Sequence, residues 1–193
     1  KKYLTGTKLM NTHSHNSTTK KYNKNMGRLI QIANKIDYIN NSFRKIARLA
    51  ILLMLSLGIW NVIGRYLGAS IGYNLSSNLM IEGQWYLFDL VFLCGLSWTH
   101  QANGHVRVDI LQAQLKKINK LRMEIIGTCL LLLPFTISIF LISIKPALYS
   151  ISINELSPDP NGLPRYLVKL MIPLGFLLLT LQGISELIKK WIL

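Results

Sequence analysis

An apolar run from residue 82 to residue 102 constrains the fold of this chain more than any other feature. Asp89 is the only charged residue in the interior of that run. A helix of about 20 residues, at a rise of about 1.5 Å per residue, is long enough to cross a hydrocarbon core of about 30 Å. The sequence therefore predicts a transmembrane helix here.

Three further apolar runs make a multi-pass membrane protein the natural interpretation. Hydrophobic residues form 50% and charged residues 16% of the chain, and the apolar residues are gathered into blocks instead of being scattered at the periodicity of a soluble core. We predict an all-α membrane protein with amphipathic surface helices and one transmembrane domain over residues 46–193. Its four predicted spans cover about 46–67, 82–102, 125–144 and 166–188.

The region before the first span divides into two parts. Residues 1–27 are rich in Lys, Asn and Thr, and they lack the apolar surface needed to offset the entropy of ordering, so we predict a basic, flexible cytoplasmic tail. Residues 28–45 carry apolar side chains at helical spacing and predict an amphipathic interfacial helix. Its apolar stripe is Leu29, Ile32, Ala33, Ile36, Ile39 and Phe43, and the polar residues assigned to its other faces are Gln31, Asn34, Lys35, Asn40 and Asn41.

The basic residues predict the orientation of the chain. The formal net charge is +14, but the basic residues flank apolar spans and no DNA-binding motif surrounds them, so membrane lipids and not nucleic acid are the expected partners. The region before the first span, the connection 103–122 and the C-terminus are all basic, whereas the loop 68–80 has no charge. The positive-inside rule therefore predicts that both termini and the connection 103–122 are cytoplasmic.

The polar residues of the spans do not form a recognisable catalytic or metal-binding set. His13 and His15 lack further metal ligands nearby, and His100 and His105 lie near one end of a single helix, which does not suit axial haem ligation. No nucleophile-elbow, zinc-protease or phosphate-loop motif is present. We therefore expect no enzyme activity and no cofactor in this chain.

Asp89 allows two interpretations. It shares one helical face with Glu82 and Trp85, which must look toward protein or water and away from lipid. The carboxyl group either holds an ion or proton, or it is satisfied by neighbouring helices or a partner subunit. No second charge accompanies Asp89 in the predicted spans away from their ends, which favours packing or partner contact.

A polar turn follows the run at residues 82–102. Gly104 ends the helix, and His105, Arg107 and Asp109 then alternate with apolar residues. An interfacial turn, in which Arg107 extends to the lipid headgroups and pairs with Asp109, and a specific docking role are both compatible with this pattern.

Three motifs in order resemble one transporter family. The first, E-x-Q-W-x-L-F-D, begins at Glu82; the second, HVRVD, begins at His105; the third, S-P-D-P-x-G-L-P, begins at Ser157 and is followed by IPLGFLLLTLQG at 172–183. Together they resemble the small membrane (Q) subunit of the tripartite ATP-independent periplasmic (TRAP) transporters, a DctQ-like family. The resemblance covers about residues 46–190. Gly83, where a larger apolar residue is expected, and the long basic tail depart from the pattern.

The resemblance implies a permease subunit that scaffolds a larger one. In such a system the large TRAP membrane subunit carries the substrate and sodium, and a periplasmic substrate-binding protein delivers an organic acid for sodium-driven secondary uptake. Sodium is accordingly expected in the partner and not in this chain. The candidate residues for partner contact or structural motifs are Glu82, Gln84, Trp85, Asp89, Gly104, His105, Arg107, Asp109, Glu155, Arg165 and Lys169.

Two other functions remain compatible with the sequence. One is a membrane anchor or a subunit of a quinone or redox complex. The other is an adaptor that binds a lipid surface through its basic tail.

Overall fold

All of the regular structure in the described part of the chain is helical. The computed structural model describes residues 6–73, 75–102, 104 and 116–192. In this range lie five α-helices and one π-helical segment, and four stretches are long and apolar enough to cross a membrane, which confirms the predicted fold class. The elements are α1 (Gly6–Ile71), α2 (Asn78–Gln101), α3 (Lys117–Gly127), a π segment (Thr128–Leu132), α4 (Leu133–Ser152) and α5 (Arg165–Ile192).

Helix α1 differs from the sequence interpretation. It is one continuous helix from Gly6 to Ile71, with no boundary at residue 27 or residue 45. Helix therefore extends through most of residues 1–27, the stretch for which the sequence predicts a basic, flexible tail. Extending an existing helix costs far less than nucleating a new one, so a polar segment can continue a helix that is stabilised elsewhere.

The third membrane-spanning stretch is interrupted by a π-helical segment. Helix α3, the π segment and α4 follow one another without a loop, and the backbone N–H of Leu133 bonds to the carbonyl oxygen of Thr128, five residues earlier. Pro134, the second residue of α4, has no backbone N–H to donate. The sequence predicts a kink at Pro134, and the structure contains a π segment immediately before it.

Helix α5 lies at the centre of the bundle. Helices α1, α2 and α4 all pack against it; α1 also packs against α2, whereas α4 packs mainly on α5. The beginning of α2 and the connection 153–164 lie together at one end, where the Asn78 side chain contacts the Pro160 carbonyl oxygen. We call this end the loop end, and we call the end that holds Asp37 and Lys189 the opposite end.

The interior is built from small and polar side chains. The largest side chains that are fully buried are Gln182, Asn40, Thr136, Cys94, Ser97, Ser150 and Ser185. Large hydrophobic side chains face outward instead; Leu131, for example, is 74% exposed. This distribution is typical of membrane helices, which associate through close packing and interhelical hydrogen bonds because the lipid is as apolar as leucine.

Gly175 sets the distance between α2 and α5. A Cβ atom at this position would lie 2.6 Å from the Cβ of Leu93 and 3.2 Å from its Cα. Backbone cannot move aside as a flexible side-chain end can, so the crossing requires a residue without a side chain.

We predict that Gly175→Ala lowers the melting temperature of the protein in mild detergent. Overpacking a tight contact typically costs about 1–3 kcal/mol, which exceeds the gain of at most about 1 kcal/mol from replacing a helical glycine by alanine. Gly95→Ala in α2 is the matched control, because a Cβ there meets nothing within 4 Å. An equal or higher melting temperature for Gly175→Ala than for Gly95→Ala would show that the close crossing is not required.

Candidate functional site

A pocket of about 210 Å³ lies between α2 and the beginning of α5 at the loop end. The structure brings together here several residues that the sequence singled out separately, since Glu82, Trp85 and Asp89 come from α2 and Arg165 and Lys169 from α5. The full lining is Glu82, Trp85, Tyr86, Asp89, Asp159, Arg165, Val168 and Lys169.

Glu82 anchors the loop 153–164 to α2. Its buried carboxylate accepts hydrogen bonds from the Ser157 hydroxyl and from the backbone N–H of Leu163. Tyr86 donates its hydroxyl to the carbonyl oxygen of Leu163 at 3.1 Å, and the Asn78 amide reaches the carbonyl oxygen of Pro160 at 3.3 Å. Positions 78, 82 and 86 are four residues apart, so one face of α2 binds the loop.

The loop is shaped to fit closely over Glu82. Asn161 adopts the left-handed conformation with φ of 59°, which asparagine tolerates better than most residues. At the next residue, Gly162, a Cβ atom would lie 2.5 Å from the Cβ of Ser157 and 2.6 Å from a carboxylate oxygen of Glu82. The S-P-D-P-x-G-L-P motif therefore has a structural reason, which is to close a tight turn against a buried carboxylate.

Glu155 joins the end of α4 to the beginning of α5. Its carboxylate accepts hydrogen bonds from the Lys169 ammonium and, at 2.7 Å, from the Ser150 hydroxyl, and its backbone carbonyl accepts one from the N–H of Arg165 at 2.9 Å. The bonds from Lys169 and Ser150 lower the pKa of Glu155 below its ordinary value of 4.5. A lowered pKa means that the stabilisation is complete above pH 4.5 and is lost as the pH falls toward the lowered value.

Asp89 lies in the same pocket but takes no part in these contacts. Within the part of the chain that the structure describes, its carboxylate makes no hydrogen bond and no ion pair. Its neighbour Trp85 is 62% exposed, so the pocket opens to the outside of the bundle beside Asp89.

Gln84 faces a different helix. Its side-chain nitrogen lies 3.5 Å from the carbonyl oxygen of Met54 in α1, away from the pocket. The adjacent Gly83 has room for a side chain, since a Cβ there would lie 3.6 Å from a methyl group of Leu57, an ordinary contact distance. The packing of α1 on α2 therefore does not require a glycine at position 83.

The polar turn after α2 is described only at its first residue. The backbone N–H of Gly104 bonds to the carbonyl oxygen of Thr99 at 2.8 Å, as expected where a helix ends. His105, Arg107 and Asp109 lie outside the described residues, so their roles stay predictions.

A second polar cluster, at the opposite end, was not predicted from the sequence. The Asp37 carboxylate in α1 accepts bonds from Lys189, from the Ser185 hydroxyl at 2.8 Å and from the Gln182 amide at 3.2 Å. Asn40 donates to the carbonyl oxygen of the Gln182 side chain. The sequence interpretation that Asn40 points away from the packed face is wrong, since this side chain is only 1% exposed.

The available signal for this cluster was the spacing of polar residues within apolar helices. Asp37 and Asn40 are three residues apart, as are Gln182 and Ser185, so each pair shares a helical face.

The two clusters use their polar groups to join helices, at the loop end through Glu82 and Glu155 and at the opposite end through Asp37. Among the described residues, no three His, Cys, Asp or Glu side chains converge to hold a metal ion.

Comparison with known proteins gives one match. Residues 54–193 match the family model described as the DctQ component of the tripartite ATP-independent periplasmic transporters. No curated protein and no solved structure matches the chain.

We predict that Glu82→Gln loosens the loop. The Ser157 hydroxyl and the Leu163 N–H donate to different oxygens of the carboxylate, and an amide offers an acceptor at only one of these two positions. The loss of a charge-assisted hydrogen bond corresponds to about tenfold or more in an opening equilibrium. Hydrogen exchange at the Leu163 amide should become faster by about that factor. The control is Ser152→Ala, whose hydroxyl bonds only to Tyr149 in its own helix. Unchanged exchange in Glu82→Gln would show that Glu82 does not hold the loop.

Proposed function

Because the chain belongs to the DctQ family, the small permease components of TRAP transporters, we propose that it is the stationary scaffold of a sodium-driven transporter for an organic acid. The family consists of transporter components and not of enzymes. Its members work with a large membrane subunit and a periplasmic binding protein.

The observation that carries the scaffold proposal is the presence of interhelical polar contacts at both ends of the bundle. At the loop end, Glu82 and Glu155 connect α2, the loop and α5. At the opposite end, Asp37 connects α1 to α5. A helix bundle fixed at both ends resists the shear or rotation that an alternating-access step would require. This supports a fixed role for the small subunit while another subunit moves.

We assign sodium and substrate binding to the large subunit. Three of the most deeply buried polar side chains, Gln182, Ser185 and Asn40, are already used for interhelical contacts. The choice of organic acid would then rest with the large subunit and the binding protein.

We place both termini in the cytoplasm and the loop end in the periplasm of a bacterial inner membrane. The distribution of charge supports this orientation. Lys189 and Lys190 lie at the end of α5, together with the basic residues that precede the first span, whereas Glu155 and Asp159 lie in the loop at the other end. The polar turn with Arg107 would then face the cytoplasm, where its guanidinium has the geometry to join Asp109 and helix-end carbonyl groups at the contact with the large subunit.

The proposal is tested by reconstitution. A binding-protein thermal-shift screen first identifies an organic acid that binds. Proteoliposomes that contain this chain and its large subunit, supplied with the loaded binding protein, should then accumulate the acid only with an inward sodium gradient.

The matched controls omit one component at a time. Vesicles with this chain alone should show no saturable uptake, because its interior polar groups serve packing. Sodium-dependent uptake by this chain alone would contradict the scaffold role, and so would full uptake in its absence.

A further inference from the structure

Helix α2 presents an uncovered aromatic face to the outside of the bundle. Trp85, Phe88 and Phe92 are 62%, 55% and 56% exposed. Their spacing of three and four residues places them on one side of the helix, and the rings of Phe88 and Phe92 stack with centroids 6.3 Å apart. Aromatic residues are enriched at protein interfaces, where they supply large contact areas.

The Asp89 carboxylate lies within this face. Seven residues separate it from Glu82, which places it about 10 Å further along the helix axis from the loop, toward the middle of the membrane. Charged groups inside a membrane are costly unless they are paired or face protein or water. Within the described residues, no cation pairs with Asp89.

The surroundings of Asp89 carry an excess of negative charge. The pocket is lined by the carboxylates of Glu82, Asp89 and Asp159 and by the basic side chains of Arg165 and Lys169. Glu155 lies beside the pocket and already holds Lys169 in an ion pair. The pocket and its edge thus hold four carboxylates and two basic groups. This excess of negative charge makes the pocket complementary to an additional cation.

We propose that this face of α2, formed by Trp85, Phe88, Asp89 and Phe92, is a docking surface for the large membrane subunit, which places a lysine or arginine side chain against Asp89. The inference rests on the proposed function, because it requires the large subunit as partner. A positive side chain from that subunit would supply the charge that Asp89 lacks, and the aromatic side chains would supply the packing around the ion pair.

The depth of Asp89 favours a protein partner over a lipid headgroup. Lipid ammonium groups lie at the membrane interface, whereas Asp89 lies about two helical turns inward from the loop. A basic residue on a neighbouring transmembrane helix can stand at any depth. At the outer part of the pocket, where a headgroup could reach, the basic side chains of Arg165 and Lys169 are already present.

The first test measures recovery of the large subunit with tagged variants of this chain in mild detergent. Removing one partner of a buried ion pair leaves the other unpaired, so Asp89→Asn should reduce co-purification about tenfold or more relative to wild type. Asp89→Glu keeps the charge and should retain most of the co-purification of the large subunit. Asp159→Asn removes a carboxylate from the loop side of the same pocket, outside the aromatic face, and it should reduce co-purification less than Asp89→Asn does. Equal melting temperatures of the isolated variants would exclude misfolding as the cause.

The second test uses a photoreactive benzoylphenylalanine in the assembled transporter in membranes. At Phe88 it should form an adduct with the large subunit. At Leu131 it should not, because that exposed side chain belongs to the π segment, whose packing contacts are with α3, α4 and α5.

The outcomes separate the two proposals. If the wild-type chain recovers no large subunit, the proposed function fails. If the wild type recovers it and Asp89→Asn recovers as much, the docking inference is overturned. It is also overturned if benzoylphenylalanine in place of Phe88 forms adducts only with lipid. A further contradicting result is that Asp89→Asn loses bound phosphatidylethanolamine in native mass spectrometry while subunit association is unchanged.

Discussion

Hydrogen bonds and ion pairs between the helices hold this bundle together. The hydrophobic effect alone cannot do so in a membrane. In lipid, an apolar side chain gains little by leaving the hydrocarbon for a helix interface, so association relies on close packing and polar contacts. Helix α5 provides both. Gly175 allows α2 to approach, and Gln182 and Ser185 bond to α1. The central position of α5 follows from this run of small and polar residues along one apolar helix.

The dependence on polar contacts between helices also explains why the bundle is suited to act as a scaffold. Its strongest contacts lie at the two ends, through Glu82 and Glu155 at the loop end and Asp37 at the opposite end. Between these ends the helices expose large apolar side chains, which in a membrane contact lipid or another subunit. A few polar residues therefore hold the helices together, and most of the large apolar side chains face the surroundings of the bundle. On the α2 face that contains Asp89, a carboxylate lies among these exposed apolar side chains.

Part of this architecture could be predicted from the sequence. The four spans follow from length and hydropathy. The missing backbone donor of Pro134 predicts a kink, but it does not predict the π segment that precedes it. The full extent of α1 did not follow, because local composition does not reveal that a polar segment can continue a helix held elsewhere. The inward direction of Asn40 was also missed, since only its partner Gln182, 142 residues away, makes burial of that amide favourable. The motif residues were found, but only the tertiary structure shows that Glu82 and the loop glycine Gly162 are parts of one contact.

The central claim is that this chain stays fixed while the transporter works, and a distance measurement across the bundle tests it most directly. With the exposed Cys129 replaced by serine, spin labels at Tyr73 near the loop end and Trp191 near the opposite end report the distance between the two ends of the bundle. The measurement is made on the intact transporter in lipid by pulsed electron resonance, with and without sodium, organic acid and binding protein. We expect the same distance distribution in both conditions. A shift of that distribution on addition of sodium and substrate would contradict the account, because it would mean that the small subunit itself changes shape during transport.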